Sequence, residues 1–478
     1  MTPSHSTQSP RRVHLVGICG TGMGSLAGLL ADAGYTVTGS DESIYPPMST
    51  MLQERGIPVL QGYRPEHLDD RPDLVVIGNV ATKSNPEALA AIERQIPYLS
   101  MPQAIGQLFL EGRHPLVVAG THGKTTTAAL LAWVLESAGR HPSFLVGGVL
   151  SNFNRSSGLG TGDDFVIEGD EYETSFFDKG PKFLHYRPRT AILTSVEYDH
   201  AEMFSSLDAV KDAFRRFAAL VPRDGLLVCC DDDPNVREVI ASANCPVDLY
   251  GVSEGSGWRG RVLTADSSGM RFEVAKEGRP FGRFESPLSG IHNLRNMLAV
   301  TAAASARGVE PHSIGEGLRT FAGVRRRQEV RGVAGGVTVI DDFAHHPTAV
   351  RLTLDGLKQK YAGRRIWAIF EPRTNTSRRS VFQQEYASSF DSADQVIIAA
   401  VDHPERAPEG QRFSPEDLVR DLRARGRQAD YVDGVGGIVA KATHGARDGD
   451  VLVIMSNGAF GGIHARLLEA LNARAGAV

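Results

Sequence analysis

The sequence predicts an α/β protein of three units, each with its own largely parallel sheet. Three observations carry that reading. Short apolar runs alternate with amphipathic segments along the chain, the pattern of βαβ units. Two glycine-rich turns, VGICGTGMGSLAG near the start and VVAGTHGKTTT at residues 117–127, each join a strand to a helix. The 478 residues suffice for three domains of about 150 residues each.

In the first unit, residues 1–112, RRVHLVGI reads as a strand and MGSLAGLLADAG as a helix closed by Gly34. YTVTGSD and DLVVIGN are further strands, and NPEALAAIERQ is a capped helix with Pro86 in its first turn. This is a Rossmann-like domain. The second unit, residues 113–322, opens with the strand PLVVAG and the helix KTTTAALLAWVLESAG. DFVIEGD, RTAILTS, GLLVCC and PVDLYG extend a P-loop ATPase-like sheet. RGRVLTAD, GMRFEVAK and PFGRFESP then read as antiparallel strands, before helices after Gly290 and Pro311. The third unit, residues 323–478, is again Rossmann-like. Its strands begin around VTVIDDF and continue through RIWAIFEP, QVIIAA, QADYV and DVLVIMS.

Composition narrows the class. Hydrophobic residues make up 41% and charged residues 22% of the chain, enough apolar material for sizeable cores. A net charge of -5 argues against a nucleic-acid or acidic-lipid surface, though not against local phosphate pockets. No apolar run approaches the ~18 residues that span a membrane. Cys19, Cys229, Cys230 and Cys245 contain no CxxC pair, so neither a disulfide framework nor a zinc site is suggested, and a reducing cytoplasm is expected. The polar start MTPSHSTQSP reads as a short loose tail. A monomer or weak homo-oligomer is expected.

VVAGTHGKTTT is the strongest local signal. A strand, glycines, Lys, Thr and a helix follow in order, an arrangement that aims backbone N–H groups at phosphate oxygens. Gly120 and Gly123 allow the tight turn, Lys124 would bridge the outer phosphates, and Thr125 would offer its hydroxyl to Mg²⁺. The match to GxxxxGK[ST] is incomplete, because Val118 stands where the first glycine belongs.

The strand DFVIEGDEYETSFF ends in Glu168, Asp170, Glu171 and Glu173. Strand ends beside a phosphate loop are where metal ligands are expected. Glu168, nearest the strand terminus, is the candidate Mg²⁺ ligand, while Glu173 reads as a solvated acid. RTAILTSVEYDH ends in Asp199 and His200. His200 can reach the same ion, but Mg²⁺ prefers oxygen, and taken alone it reads equally well as a surface histidine. Near the N-terminus, Gly22-Met23-Gly24-Ser25-Leu26-Ala27 fits a loose GxGxxA pattern, with Asp41 where a ribose-binding acid would stand. That leaves a nicotinamide dehydrogenase as a rival reading. Two nucleotide-type sites on one chain suit transfer between ATP and a nucleotide-linked substrate better than hydride chemistry.

Taken together, GTHGKTTT, EGDEYE, YDH, GIHNLRNMLAV, GVRRRQE and DDFAHHPTAV follow one another in the order and spacing of the Mur ligases. The chain resembles that family from residue 12 to about 470. The resemblance implies an ATP-dependent enzyme of peptidoglycan synthesis with one domain each for a UDP-sugar, for ATP and for an incoming amino acid or peptide. It implies that Gly120, Thr121, His122, Gly123, Lys124, Thr125 and Thr126 hold the nucleotide with Asn293, Asn296, Arg327 and His345. It makes Glu168 and His200 metal-site residues, and Lys124, His200, Arg327 and Asp342 catalytic ones. Gly20, Thr21, Gly22, Met23 and Asp41 would face the UDP-sugar. Phe343 replaces the usual Tyr, and Gln328 the usual aromatic, which leaves open whether Arg325, Arg326 or Arg327 meets ATP.

Within the family, YPPMST, EPRTNT and SNGAFGGIH resemble a branch that acts in peptidoglycan recycling. That branch joins L-alanyl-γ-D-glutamyl-meso-diaminopimelate to UDP-N-acetylmuramate through an acyl phosphate. The alternative is the branch that adds L-alanine to the same acceptor. Arg373, with Asn375 and Thr376, is the candidate contact for a peptide carboxylate.

Overall fold

The computed structural model describes residues 11–44 and 48–476. The N-terminal tail and the Tyr45–Pro47 part of YPPMST lie outside the described residues. The described residues form three sheets, of five, ten and six strands. The first is wholly parallel, in the spatial order Val59–Gln61, Thr36–Asp41, Arg12–Val16, Leu74–Ile77, Tyr98–Ser100. Its helix Pro86–Glu93 starts where the Asn85 side chain accepts the N–H groups of Glu87 and Ala88, an N-cap with Pro at the first helical position.

The central sheet places Leu226–Cys230, Thr190–Leu193, His114–Ala119 and Asp164–Gly169 side by side and parallel. Leu116, Val117, Val118, Val166, Ile167, Ile192 and Leu193 are all fully buried. Continuous apolar runs of this kind belong to strands covered on both faces. Because Ala119 pairs with Leu193 on one side and Gly169 on the other, the chain segments that follow these three strands leave the sheet at one edge. Trp258–Asp266, Gly269–Lys276 and Arg279–Ser286 form the expected antiparallel extension.

The third sheet runs in the order Glu329–Ala334, Val337–Asp342, Val451–Met455, Ile366–Phe370, Gln395–Ala399, Gln428–Val432. It begins one strand earlier than the sequence suggests. Glu329–Ala334 pairs antiparallel with Val337–Asp342, and Gly335 and Gly336, both at positive φ, supply the two-residue hairpin turn. Its alternating charges hide it in the sequence. Ser143–Leu150, whose middle is two glycines, and Arg155–Gly158 are likewise strands that periodicity does not reveal.

Hydrogen bonds tie the units together. Ser25 Oγ and Ser156 Oγ lie 2.7 Å apart, and Ser100 donates to Asp178 at 2.7 Å. The third unit reaches the central one through Thr348 to Glu197 at 2.7 Å and Thr376 to Asp199 at 3.0 Å. Among the described residues, no helix is long and apolar enough to cross a membrane.

Candidate active site

The turn after His114–Ala119 opens a cavity of about 910 Å³ between the central and third sheets. Gly120 and Gly123 have φ of +130° and +83°, conformations that a side chain strains. A Cβ at Gly123 would stand 2.8 Å from Asn296 Oδ1. The helix Lys124–Ser137 begins directly after the turn, so the N–H groups of its first turn have no partner within the helix and face the cavity. Replacing Gly123 with Ala should raise the KM for ATP at least tenfold. It should lower Tm by only a few degrees, since left-handed backbone costs about 1–2 kcal/mol. Steady-state kinetics and calorimetry on the same preparation check both.

Thr121 and His122, two of the expected nucleotide contacts, line the cavity. The N–H groups of Thr121 and His122 already donate to Ser195, at 2.9 Å each. The His122 ring lies against Glu197 on the cavity wall.

Lys124 Nζ donates to Gly120 O at 2.7 Å and to Glu171 at 2.8 Å. Burial opposes its charge, but Glu171 and Asp170 outweigh that and hold its pKa above the ordinary lysine value. Thr125 Oγ1 donates to Glu168 Oε2 at 3.2 Å, and the N–H of Gly147 donates to Glu168 Oε1 at 2.6 Å. Glu168 thus stands beside Thr125. The carboxylate that faces His200 is a different one: Glu171 Oε1 lies 3.7 Å from His200 Nε2. The strand ends at Gly169, so Glu168 still points off the sheet. Glu171, three residues on, turns toward Lys124 and His200. Glu168 and His200 both line the cavity, and of the two carboxylates Glu171 is the one beside the His200 ring.

Burial and the neighbouring Asp170 push the Glu168 carboxyl up to about 7. An acid whose folded pKa lies above its unfolded value, near 4.5, binds more protons folded than unfolded between those limits. Stability of the ligand-free chain should therefore fall as pH rises from about 4.5 to 7. Glu168→Gln should remove that slope, and melting curves across this window read it directly.

The third unit supplies the opposite wall. Of the three arginines, Arg327 alone lines the cavity. Its guanidinium donates to Thr125 Oγ1 at 3.2 Å and lies 4.8 Å from the Phe343 ring centroid. Arg325 bonds Asn154, and Arg326 bonds the carbonyls of Ser456 and Gly458. Asp342 accepts the N–H groups of Gln328 and Ala344, each at 2.8 Å. It therefore fixes the loop that carries Arg327, while burial pushes its own pKa up. Asn293 and Asn296 line the same cavity. Asn293 Nδ2 donates to Ser289 O at 2.8 Å and Asn296 Nδ2 to Asn293 Oδ1 at 3.2 Å. Thr126 and His345 complete the lining. Burial lowers the His345 pKa and favours the neutral ring.

A second cavity, of about 620 Å³, lies between the first and central units. Its lining includes Asn79, Lys83 and Lys179, and it shares Tyr172 and His200 with the first. Sequence reading missed Tyr172, although it lies within EGDEYE, and also Lys83 and Lys179, which sit in none of the motifs above.

The N-terminal glycine loop differs from expectation. The turn is made by Gly17, at φ +83°, through Gly20, and the helix starts at Thr21. Gly22 and Met23 therefore lie inside the helix; Met23 is buried core, and a Cβ on Gly22 would meet Met101 at 2.9 Å. This removes Met23 as a surface contact and places the GxGxxA match out of register with a dinucleotide turn. Asp41 accepts the N–H groups of Cys19 and Ser43, each at 2.9 Å, and so braces the loop. Thr376 is buried and its hydroxyl bonds Asp199, which makes it an inter-unit clasp. Asn375 lies beside Arg378, at 3.4 Å. Arg373 stays partly exposed, 3.6 Å from Asp402, with its guanidinium against Gly458.

A phosphate loop and acid/histidine pair on a central sheet, closed by an arginine from a third sheet, define an ATP-dependent ligase site. The comparisons agree. The Mur ligase family catalytic domain matches residues 12–113, the Mur ligase middle domain residues 118–304, and the Mur ligase glutamate ligase domain residues 325–458. The chain belongs to the Mur ligase family. It is 43% identical to the UDP-N-acetylmuramate–L-alanyl-γ-D-glutamyl-meso-2,6-diaminoheptandioate ligase of Escherichia coli, over 97% of this chain and 99% of that protein. The crystal structure of a murein peptide ligase from Psychrobacter arcticus superposes with a TM-score of 0.71 at 38% identity, covering 97% of this chain and 99% of that one. The UDP-N-acetylmuramate–L-alanine ligase of Caldanaerobacter subterraneus is 34% identical, over 96% and 97% of the two chains.

Proposed function

We propose that this enzyme uses ATP to join L-alanyl-γ-D-glutamyl-meso-diaminopimelate to the lactyl carboxylate of UDP-N-acetylmuramate. The observation that carries the choice of peptide is the 43% identity across nearly both full lengths to a ligase of that name, against 34% to an L-alanine-adding one. The chemistry follows from the residues. A carboxylate does not acylate an amine at neutral pH, so it first attacks the γ-phosphorus of ATP. A C–O–P linkage forms and the bond to ADP breaks. Lys124 Nζ, the N–H groups of the first helical turn and Arg327 gather around the transferring phosphoryl group and offset the repulsion between two anions. The peptide α-amine then attacks the acyl carbon, the C–N bond forms, and phosphate leaves with the electron pair. An α-amine of pKa about 7.7–8.0 is roughly a tenth neutral at pH 7, so no strong base is required, and none is assigned to His345 or His346.

Thr125 beside Glu168, and Glu171 beside His200, are predominantly oxygen donors around the phosphate loop, a set that suits Mg²⁺. When bound, Mg²⁺ would neutralise charge on the phosphate oxygens. We place the nucleotide in the cavity of about 910 Å³ and the acceptor's sugar end in the cavity of about 620 Å³, because the two meet at His200. Residues 1–112, 113–322 and 323–478 would then serve the UDP-sugar, ATP and the peptide, in a cytoplasmic reaction where ATP is at hand.

The acyl phosphate is tested with ¹⁸O in the lactyl carboxylate: one labelled oxygen should appear in the released phosphate. Unlabelled phosphate excludes the intermediate. Arg373→Ala should raise the tripeptide KM roughly tenfold or more, the worth of one charge-assisted contact, and leave the ATP KM within about twofold. Equal changes in both would remove Arg373 from the peptide site.

A further inference from the structure

Three side chains on the cavity wall take no part in the chemistry above. His122 comes from the phosphate loop, Glu197 from the segment after Thr190–Leu193, and His346 from the N-cap of helix Pro347–Lys360. His122 Nε2 stands 3.2 Å from Glu197 Oε2, and His346 Nδ1 stands 3.7 Å from the same oxygen. All three ligand atoms lie within 4.8 Å of one another. A tetrahedral ion with bonds of about 2.0–2.2 Å holds its ligands about 3.4 Å apart, and the two measured separations bracket that edge.

The groups behind these ligands are also in place. His346 Nε2 lies 3.2 Å from the carbonyl of Tyr198. A carbonyl only accepts, so Nε2 carries the proton and Nδ1 the lone pair; that lone pair accepts the Thr348 N–H at 3.3 Å, a long helix-cap bond that an ion would displace. Thr348 Oγ1 donates to Glu197 Oε2 at 2.7 Å. A ring N–H fixed by a carbonyl and a carboxylate fixed by a hydroxyl are the supports that histidine–carboxylate metal sites use.

We propose that His122, Glu197 and His346 form a transition-metal site for an ion such as Zn²⁺ or Co²⁺, separate from the Mg²⁺ donors around Thr125 and Glu171. Two imidazoles and one carboxylate suit Zn²⁺ and Co²⁺, whereas Mg²⁺ demands an oxygen shell. The open fourth position would take water or a phosphate oxygen from the cavity. An ion here would pin the phosphate loop to the third unit. The inference does not rest on which peptide the enzyme uses.

The test is titration of the full-length, nucleotide-free protein with Co²⁺, followed by visible absorption, and with Zn²⁺, followed by calorimetry, in excess Mg²⁺. One ion per chain should bind, with the strong visible bands of low-coordinate Co²⁺. Glu197→Gln and His346→Asn should each weaken binding at least tenfold, and Glu171→Gln should not. Asn at position 346 retains a capping acceptor for the helix, and melting curves confirm that each variant is folded; His122→Asn replaces either one that is not. No binding by the wild-type chain overturns the proposal. So does binding that is lost in Glu171→Gln yet unchanged in Glu197→Gln and His346→Asn.

Discussion

Replacing Lys124 with Ala should lower kcat/KM by at least about a thousandfold, or about 4 kcal/mol at 1.36 kcal/mol per tenfold change. The magnitude follows from the setting. Lys124 is held between Gly120 O and a Glu171 carboxylate that is 2% exposed. With most of its surface buried, its charge acts on the phosphates with less screening than in bulk water. The same substitution leaves Glu171 buried without its partner, which should also lower Tm. The Lys124→Ala, Glu171→Gln double variant separates the two effects. Its Tm should recover toward wild type while its activity stays lost. Recovery of both would mean that Lys124 serves the fold and not the reaction. Lys124→Arg should fail as well, because a planar guanidinium cannot occupy the space of a compact ammonium.

Arg327→Ala should cost roughly a hundred- to thousandfold in kcat/KM, the range for removal of one aligned transition-state donor. Arg325→Ala should cost less than about threefold, since its guanidinium bonds Asn154 on an exposed loop and surface contacts of this kind are worth little. Arg326→Ala should act differently again. Its bonds to Ser456 and Gly458 brace the segment that lies against Arg373, so the tripeptide KM should rise more than the ATP KM. Kinetics on the three single variants, with a melting curve for each, give a pattern that one shared role for the arginine triplet cannot produce.

That separation of three adjacent arginines was not legible in the sequence. Arg326 and Gln328 both adopt positive φ; the reversed turn sends Arg325, Arg326 and Arg327 to different partners, and no periodicity announces it. The phosphate loop was legible because its parts are consecutive: strand, glycines, Lys124, Thr125, helix. The acid loop was legible only as a group. Glu168, within the strand, bonds Thr125, and Glu171, beyond its end, lies beside His200, a division that depends on where the strand ends. The clasps Glu197–Thr348 and Asp199–Thr376 join residues 151 and 177 positions apart, beyond what local pattern can relate. At the N-terminus the crowded glycines suggested a dinucleotide turn one helical turn too late. Gly17 and Gly20 make the bend, and Gly22 is present because Met101 packs on it.

The division of the fold into three sheets was readable from alternating apolar and amphipathic segments. The edges of those sheets were not. Glu329–Ala334, Ser143–Leu150 and Arg155–Gly158 lack clean alternation, since glycines or charges interrupt them. Two of these omissions matter to the site. Ser143–Leu150 delivers the Gly147 N–H that holds Glu168, and Glu329–Ala334 follows directly on the loop that delivers Arg327.

The most direct measurement is ADP release by the full chain with UDP-N-acetylmuramate and Mg²⁺, comparing L-alanyl-γ-D-glutamyl-meso-diaminopimelate with L-alanine as the amine. The expected result is release that requires the acceptor and the tripeptide together, with kcat/KM for tripeptide at least a hundredfold above that for L-alanine. Preference for L-alanine, or release independent of UDP-N-acetylmuramate, would contradict it.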